Sequence, residues 1–411
     1  MRIGLFSQWY EPEPATIPPV LARELTRRGH SVRVLTGFPN YPEGRLYNGY
    51  RMAWRTDSIV SGVPVRRVAL FPSHGASHVG RLVNYGSFAT SASLFGADWF
   101  RDIEGLWVFN SPPTVGLPTR LIKSRYRPRV LLHIMDLWPE SLMASGFGAA
   151  TLKWPLLERG LDRWLSMTYN TADSIACTSR TQIERLIERG VPQDKLAYIP
   201  LWADETLFYP MQRDDALAAT LGVTDKTVLL YAGAIGEPQG LDTLIEVCGA
   251  LRDEPTFHCL IAGSGVAESR LRQHAKDNNL TNISFLGQWP IGGMARLMSI
   301  GDIHLVSLRS DPLAEVAMPS KLPAILACAK PVIAAALGDI ARVIDRSGAG
   351  WTCHPGDSKQ LETAIRAALA AGRSGLQKAG LRGREAYEAE FAVEIGVGRV
   401  EELLAGRKVA A

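Results

Sequence analysis

HLVSLRSDPLAEVAMPSKLPAILACAKPVI, residues 304–333, shows most clearly how this chain folds. An apolar strand at residues 304–308 runs into a polar loop, and the loop enters a helix at Pro319-Ser320-Lys321. A second apolar strand follows at residues 330–333. The order strand, loop, helix, strand is the repeating unit of a parallel α/β sheet. The first N–H groups of a helix are unpaired and the helix dipole is positive there, so we expect this loop to bind an anion.

Three side chains in this stretch suggest which anion. The hydroxyl of Ser320 and the ammonium of Lys321 suit a phosphate, and the nearby carboxylate of Glu315 suits a sugar hydroxyl. The alternative is that Ser320 is an ordinary N-cap and Lys321 a solvated residue of the first turn. Spacing alone leaves both interpretations open.

The same alternation of strand and helix runs through both halves of the 411-residue chain, which is long enough for two cores. We predict an α/β protein with two doubly wound, Rossmann-like parallel sheets facing a cleft, with ligands at the carboxyl ends of the strands. Residues 1–200 form the N-terminal domain and residues 201–383 the C-terminal domain. Residues 384–411 are expected to form a helix that packs back on the first domain, with an amphipathic segment at 384–404.

Charge and cysteine content limit the partners and the compartment. Residues 1–200 hold 24 Lys and Arg against 16 Asp and Glu, whereas residues 201–411 hold 21 against 25. The basic half predicts an anionic partner, but no basic-aromatic stripe or nucleic-acid motif is present, so nucleic acid is not expected. Five scattered cysteines without a CxxC pair predict reduced core thiols and a cytoplasmic protein. Neither a signal peptide nor a membrane-spanning run is predicted.

Short motifs in a fixed order cover most of the chain. They are YEPE at 10–13, RGHSVRVLTG at 28–37, PNYPEG at 39–44, GYR at 49–51, DLWPES at 136–141, YAGAIG at 231–236, QGL at 239–241, IAGSG at 261–265, FLG at 285–287 and PSKL at 319–322. Together they resemble the GT4 family of glycosyltransferases, which have the GT-B fold. The resemblance is greatest to the bacterial subgroup that builds O-antigen, capsule and exopolysaccharide, which includes fucosamine transferases.

The resemblance implies retaining transfer of a sugar from a nucleoside diphosphate sugar, UDP first among them, without a metal or other cofactor. The acceptor is expected to be a saccharide or a polyprenyl-pyrophosphate-linked saccharide, at the inner face of the plasma membrane. The sequence independently supports the absence of a metal. No two aspartates lie two positions apart, so there is no DxD motif to hold a divalent ion on a diphosphate. Lys, Arg, hydroxyl and backbone N–H groups must then meet the charge of the leaving group.

The resemblance also carries roles to individual positions. On the donor side these are Lys321, Ser320, Glu315, Gly233, Gly236, Gln239, Gln288 and Trp289, the last two beside the nucleobase. The candidate catalytic residues are Asp136, Glu13 and His133, with Glu13 as acceptor orienter or general base. Tyr41, Trp138 and Glu140 are expected on the acceptor side. For His133, inside an apolar strand, a core role is the alternative.

An uncharged aromatic segment, residues 82–97, lies between Arg81 and Arg101. Such a segment is typical either of core or of an interfacial helix on an anionic membrane, and five basic residues farther on favour the second. These are Arg120, Lys123, Arg125, Arg127 and Arg129. Both interpretations stay open.

Three positions depart from the family pattern. No glycine follows the first strand, Ala234 and Gln239 stand where the family usually has Arg and Lys, and Ala324 replaces its second glutamate. Losing a charged hydrogen bond typically costs about 1.5–3 kcal/mol. A catalytically inactive GT-B scaffold is therefore an alternative function, and a nucleotide-sugar epimerase is another. A Rossmann oxidoreductase is a third and weaker alternative, because the GSG at 263–265 lacks the third glycine.

Overall fold

The computed structural model describes residues 1–73, 78–141, 155–311 and 313–409. These residues divide into two compact units, one of Met1–Pro200 with Glu394–Ala411 and one of Leu201–Val393. The predicted domains meet at the same place, after residue 200, but the second unit continues to Val393 rather than ending at residue 383.

The first unit contains one sheet of eight described strands, in the order β3-β4-β2-β1-β5-β6-β7-β8. The strands are β1 Arg2–Phe6, β2 Ser31–Gly37, β3 Arg55–Val60, β4 Val63–Val68, β5 Gly105–Asn110, β6 Arg129–Ile134, β7 Ser174–Cys177 and β8 Leu196–Tyr198. All neighbours are parallel except β3 and β4. The central strands are apolar along their length because helices cover both faces of a parallel sheet.

Strand β3 was not predicted from the sequence. Its side chains are nearly all exposed, and it forms the antiparallel edge of the sheet beside β4. An exposed edge strand needs neither an apolar run nor an apolar face, so its sequence carries little signal.

The second unit contains a sheet of six parallel described strands, in the order β11-β10-β9-β12-β13-β14. The strands are β9 Thr227–Ala232, β10 Phe257–Ala262, β11 Ile283–Gly287, β12 Ile303–Ser307, β13 Val332–Ala335 and β14 Gly350–Cys353. Apolar runs in the sequence predict all six, at residues 227–232, 258–262, 283–286, 302–308, 331–334 and 350–352. The doubly wound α/β class is confirmed for both units.

Helices pack on both sheets. The described α-helices are, in chain order, α1 Ile17–Arg27, α2 His78–Ser91, α3 Gly116–Tyr126, α4 Pro155–Thr171, α5 Arg180–Glu188, α6 Asp215–Thr220, α7 Asp242–Ala250, α8 Glu268–Asp277, α9 Met294–Ile300, α10 Leu313–Val316, α11 Lys321–Ala327, α12 Gly338–Ser347, α13 Ser358–Ala386 and α14 Val393–Leu404. All five cysteines are buried and free, as predicted. No helix in the described ranges combines the length and the apolar character needed to cross a membrane.

The prediction of one amphipathic helix at residues 384–404 is wrong. Helix α13 ends at Ala386, a short π-helix spans Tyr387–Phe391, and α14 begins at Val393. Tyr387 and Phe391 pack in the core of the second unit, whereas α14 belongs to the first. The carboxylate of Glu205 holds the break, because it accepts hydrogen bonds from the Tyr387 hydroxyl at 2.9 Å and the Val393 N–H at 3.1 Å.

Candidate functional site

The ammonium group of Lys321 lies against the carboxyl end of β9. Lys321 is the first residue of α11, and its Nζ donates a 2.8 Å hydrogen bond to the hydroxyl of Tyr231. The same nitrogen lies 4.1 Å from the centroid of the Tyr231 ring. Burial lowers the pKa of Lys321 to about 7, so the charge on this group depends on what binds beside it. The alternative interpretation of Lys321 as a solvated first-turn residue is therefore wrong.

Glycines bring three strand ends of the second unit into contact. The Gly233 N–H donates to Ala262 O at 2.9 Å, and the Gly263 N–H donates to Gly287 O at 2.8 Å. Gly263 has a φ of +140°, and a Cβ built on it would lie 1.8 Å from the carbonyl oxygen of Gly233. A Cβ on Gly233 would in turn lie 3.1 Å from Nζ of Lys321. The absence of side chains here leaves backbone beside the cation, as phosphate binding requires.

Gln239 closes its own turn. The Gly236 N–H donates to Oε1 of Gln239 at 3.0 Å, and Oγ of Ser307 donates to the Gln239 carbonyl oxygen at 2.7 Å. The two predicted donor contacts at 236 and 239 therefore satisfy each other in this structure. An anion could reach the Gly236 N–H after the Gln239 side chain turns away.

The other predicted donor residues differ in whether their side chains are exposed or already hydrogen-bonded within the protein. Ser320 is exposed and its side chain makes no cap hydrogen bond to α11, so the ordinary N-cap interpretation is wrong. Gln288 and Glu315 are also exposed. Trp289 donates from Nε1 to Gly293 O at 3.1 Å and packs against the core, so its side chain is occupied.

In the first unit, Asp136 is the centre of a cluster at the carboxyl ends of the strands. It follows β6, and Oγ of Ser111, which follows β5, donates a 2.7 Å hydrogen bond to its Oδ2. Water reaches the Asp136 side chain, yet the surrounding protein raises the pKa of its carboxyl group. Burial raises the pKa of Tyr41 and of Tyr85, and the negative charge of Asp136 adds to both shifts.

Trp9 completes this cluster, with its ring centroid 5.5 Å from that of Tyr41. We call these residues the Asp136 cluster: Trp9, Tyr41, Tyr85, Ser111 and Asp136. A carboxylate beside aromatic rings suits a sugar, whose hydroxyls need acceptors and whose C–H faces need apolar contact.

Glu13 is buried, with 4% of its surface exposed. Its Oε1 accepts 2.8 Å hydrogen bonds from the N–H groups of Asn40 and Tyr41, and its Oε2 accepts from Tyr10 N–H at 3.2 Å. Burial raises its pKa to about 7, although these N–H groups oppose the shift. The predicted contact with the acceptor is therefore replaced by a positioning role, in which Glu13 fixes the loop that carries Tyr41.

His133 has no exposed surface and lies in β6, where Nε1 of Trp107 donates to its Nδ1 at 3.3 Å. Burial lowers the pKa of His133 to about 3, so the ring is neutral. The buried, neutral ring favours the core role over the predicted catalytic one. Alternation along the strand turned His133 toward the core, which was the alternative interpretation.

Trp138 and Glu140 hold a loop in place. Glu140 forms an ion pair with Arg189, which also donates to the Trp138 carbonyl oxygen at 2.6 Å. Arg189 directly follows α5, so this pair ties the segment after β6 to that helix. These contacts support the loop beside Asp136, and the acceptor contacts of the Trp138 and Glu140 side chains stay predictions.

The aromatic segment at 82–100 lies largely in the core. Phe88 and Phe100 have no exposed surface, and the guanidinium of Arg66 lies 4.4 Å from the ring of Trp99. Exposed apolar side chains occur at the start of α2, on Val79, Leu82 and Val83, and farther along the segment on Leu94. Helix α2 and the basic helix α3 pack against each other.

Four residues of these sites were not predicted as site residues from the sequence: Tyr231, Ser111, Tyr85 and Trp9. Tyr231 lies near the end of β9 and Ser111 directly follows β5, and such positions can be recognised in a sequence as candidates for a site. Their partners cannot be recognised in this way, because they lie in distant segments of the chain. Within the described residues, no group of three or more His, Cys, Asp or Glu is close enough together to hold a metal ion.

Comparison with known proteins identifies both units. Residues 16–202 match the family model of the glycosyl transferase 4-like domain, and residues 226–371 match that of glycosyl transferases group 1. WcaI of Escherichia coli K12, assigned as a colanic acid biosynthesis glycosyl transferase, is 30% identical over 335 residues, 80% of this chain and 81% of that one. The probable glycosyltransferase WbjE of Pseudomonas aeruginosa is 26% identical over 238 residues, 57% of this chain and 58% of that one.

Solved structures share the fold at low identity. Alr3699/HepE of Anabaena in complex with UDP has a TM-score of 0.72 and 16% identity, over 99% of this chain and 100% of that one. WaaG, a glycosyltransferase involved in lipopolysaccharide biosynthesis, has a TM-score of 0.69 and 14% identity, over 98% of this chain and 100% of that one.

Proposed function

The chain belongs to the GT4 family of glycosyltransferases and has the GT-B fold, and we propose that it transfers a sugar from a UDP-sugar to a growing bacterial surface polysaccharide. The proposed acceptor is a saccharide, either free or linked to a polyprenyl pyrophosphate. Similarity to WcaI, assigned to colanic acid biosynthesis, supports the process, and similarity in fold to a UDP-bound HepE supports the nucleotide.

The observation that carries this proposal is the position of Lys321. A half-buried amine that lies on Tyr231 beside the bare backbone of Gly233 is placed to receive an anion. In our proposal the diphosphate of the donor lies against Lys321, with the exposed hydroxyl of Ser320 and the Gly236 N–H as further donors. The sugar hydroxyls meet the exposed carboxylate of Glu315, and the nucleobase meets backbone groups near Gln288.

We propose retention of configuration by same-face attack. The bond between the anomeric carbon and the β-phosphate oxygen breaks, and the acceptor oxygen bonds to that carbon on the same face. The acceptor's proton passes to the departing phosphate oxygen, so no enzyme nucleophile is needed. Lys321 stabilises the charge that develops on the leaving diphosphate, which is the largest electrostatic change in the reaction. A metal ion has no part in this proposal.

The Asp136 cluster is the proposed hydroxyl-binding site of the first unit. The carboxylate of Asp136, oriented by Ser111, accepts a hydrogen bond from a sugar hydroxyl, and the rings of Tyr41 and Trp9 contact the sugar face. Glu13 acts through Tyr41 by fixing its backbone.

We also propose that α2 and α3 dock the enzyme on the inner face of the plasma membrane. Val79, Leu82 and Val83 lie on one face of α2 and are 71%, 54% and 46% exposed. Helix α3 adds the exposed Leu117 and Leu121. Arg120 and Arg125 of α3 are exposed, and neither helix contains an acid. Apolar side chains with basic ones and no carboxylates fit an anionic lipid surface.

One experiment separates this function from the inactive scaffold. Calorimetry with UDP, GDP and dTDP, followed by assays of nucleotide release from the matching sugars, should show binding of UDP and acceptor-dependent release. Absence of binding by all three nucleotides would favour the scaffold. Product formation without an acceptor would indicate an epimerase.

A further inference from the structure

The hydroxyl of Tyr231 links Lys321 to the loop that follows β9. Its single proton is donated to the carbonyl oxygen of Ala234 at 2.6 Å, so a lone pair faces Nζ of Lys321 at 2.8 Å. The ring of the same residue faces that nitrogen at 4.1 Å from its centroid. Tyr231 has no exposed surface. One rigid side chain therefore fixes both the cation and the loop.

No carboxylate among the described residues pairs with Lys321. Among the acids of the adjoining segments, Glu237 and Asp242 form ion pairs with Arg270, and Glu315, in α10, is exposed. A buried ammonium without a counter-ion is costly, and such a group lowers the cost by giving up its proton. The diphosphate would supply the missing negative charge.

We propose that Tyr231 is a positioning residue for the donor, and that Lys321 takes up one proton from solvent when the diphosphate binds. This inference rests on the proposed function, because it takes the diphosphate to lie at Lys321. The proton goes to Nζ on binding and returns to solvent when the nucleotide leaves. In this arrangement a single lysine binds the diphosphate. The two cations that the family usually has at positions 234 and 239 are replaced by Ala234 and Gln239 in this chain.

Two physical effects of Tyr231 make the role specific. A lone pair and a ring face both stabilise an ammonium more than a neutral amine, so Tyr231 favours the charged form of Lys321. Its bond to Ala234 also keeps the loop of Gly233 in place. Phenylalanine at this position keeps the ring but removes the hydroxyl, which separates the two effects.

Few other groups titrate near Lys321 between pH 7.5 and 9.5. Burial raises the pKa of Tyr231 itself, and it lowers the pKa of His304, in neighbouring β12, to about 3. Lys330, beyond the other end of α11, also has a lowered pKa, but it donates to Ser299 O at 2.8 Å at a separate place. The terminal phosphate of UDP loses its last proton near pH 6, below this range.

Titration calorimetry of UDP at pH 7.5, 8.5 and 9.5, in buffers of different ionisation enthalpy, tests the proposal. With wild type we expect uptake of close to one proton at pH 8.5 and an affinity that falls up to tenfold per pH unit above 7. Lys321→Met should bind weakly, with neither proton uptake nor this pH dependence. Tyr231→Phe should bind about tenfold more weakly than wild type at pH 8.5 but only about threefold more weakly at pH 6.5, because its lysine needs a lower pH to become charged.

Matched controls keep the test specific. Tyr209→Phe removes the hydroxyl of an exposed tyrosine of the same unit. Lys226→Met removes an ammonium group that donates a hydrogen bond to Pro255 O. Both should bind UDP as wild type does. Circular dichroism of each variant checks that it folds.

Three results would overturn the inference. Binding of UDP by wild type without proton uptake removes the proton step. A Tyr231→Phe variant that matches wild type at every pH, or loses the same factor at every pH, removes the charge-setting role. Failure of wild type to bind UDP at all would instead defeat the proposed donor, and this inference with it.

Discussion

At the scale of single residues, Lys321 and Tyr231 form the proposed donor site, and removal of the lysine is the most direct test. Lys321→Ala should lower turnover at saturating donor at least a hundredfold, because a charged contact to the leaving group is worth about 2.7–4 kcal/mol in the transition state. Sugar transfer is measured by nucleotide release. Turnover equal to that of wild type, in a folded variant, would remove Lys321 from the site.

Glu13 gives a residue-scale prediction on stability. Its pKa is about 7 in the folded protein against an ordinary value of 4.5, so the folded state holds more protons between these values and stability falls as pH rises through 7. From pH 6 to pH 8 the free energy of unfolding should fall by about 1 kcal/mol through this group.

Urea unfolding of wild type and Glu13→Gln at the two pH values, followed by tryptophan fluorescence, measures this contribution. The variant should be less sensitive to pH than wild type, since its amide does not titrate. An equal pH dependence in both proteins would contradict the assignment.

At the scale of elements, the strand ends of β9, β10 and β11 depend on glycine. Gly263→Ala would bring a Cβ to 1.8 Å from Gly233 O at a φ of +140°, so the loop beside Lys321 must move. We expect UDP affinity to fall at least tenfold, as measured by calorimetry. Gly292→Ala is the control, because a Cβ there meets nothing within 4 Å and its φ is not positive. Unchanged affinity in Gly263→Ala would show that the loop does not contact the nucleotide.

Helices α2 and α3 give the membrane prediction. Leu82→Glu combined with Val83→Glu should abolish sedimentation with vesicles that contain anionic phospholipid, because it replaces apolar contact by charge repulsion. Ile59→Glu is the matched control, since Ile59 is 76% exposed but lies on edge strand β3. Retained vesicle binding in the double variant, or equal loss in the control, would argue against docking through α2.

At the scale of the whole molecule, nucleotide binding should stabilise the fold without a metal. UDP at one hundred times its dissociation constant should add about 2.7 kcal/mol to the free energy of unfolding. The shift in melting temperature, and sugar transfer itself, should be the same with and without EDTA. Strong inhibition by EDTA, reversed by Mg²⁺ or Mn²⁺, would overturn the metal-free reaction.

The sequence determined the α/β class, the division after residue 200 and nearly every strand of both sheets. It could do so because a parallel strand covered on both faces must be apolar along its length, which a local run such as residues 227–232 records directly. Edge strand β3 escaped detection because exposure removes that constraint. The break between α13 and α14 was not predicted, because the apolar residues on its two sides continue one helical pattern although they pack in two different cores.

Only the tertiary structure decided which polar groups meet. Lys321 and Tyr231 are 90 residues apart, Glu13 and Tyr41 are 28 apart, and Ser111 and Asp136 are 25 apart. Each pair forms where loops converge, and the meeting point depends on the order and register of strands, which no local pattern specifies. Tertiary structure also distinguishes the three residues that the sequence predicted as catalytic. Burial makes His133 a neutral core ring and Glu13 an anchor of the loop, whereas Asp136 is open to water.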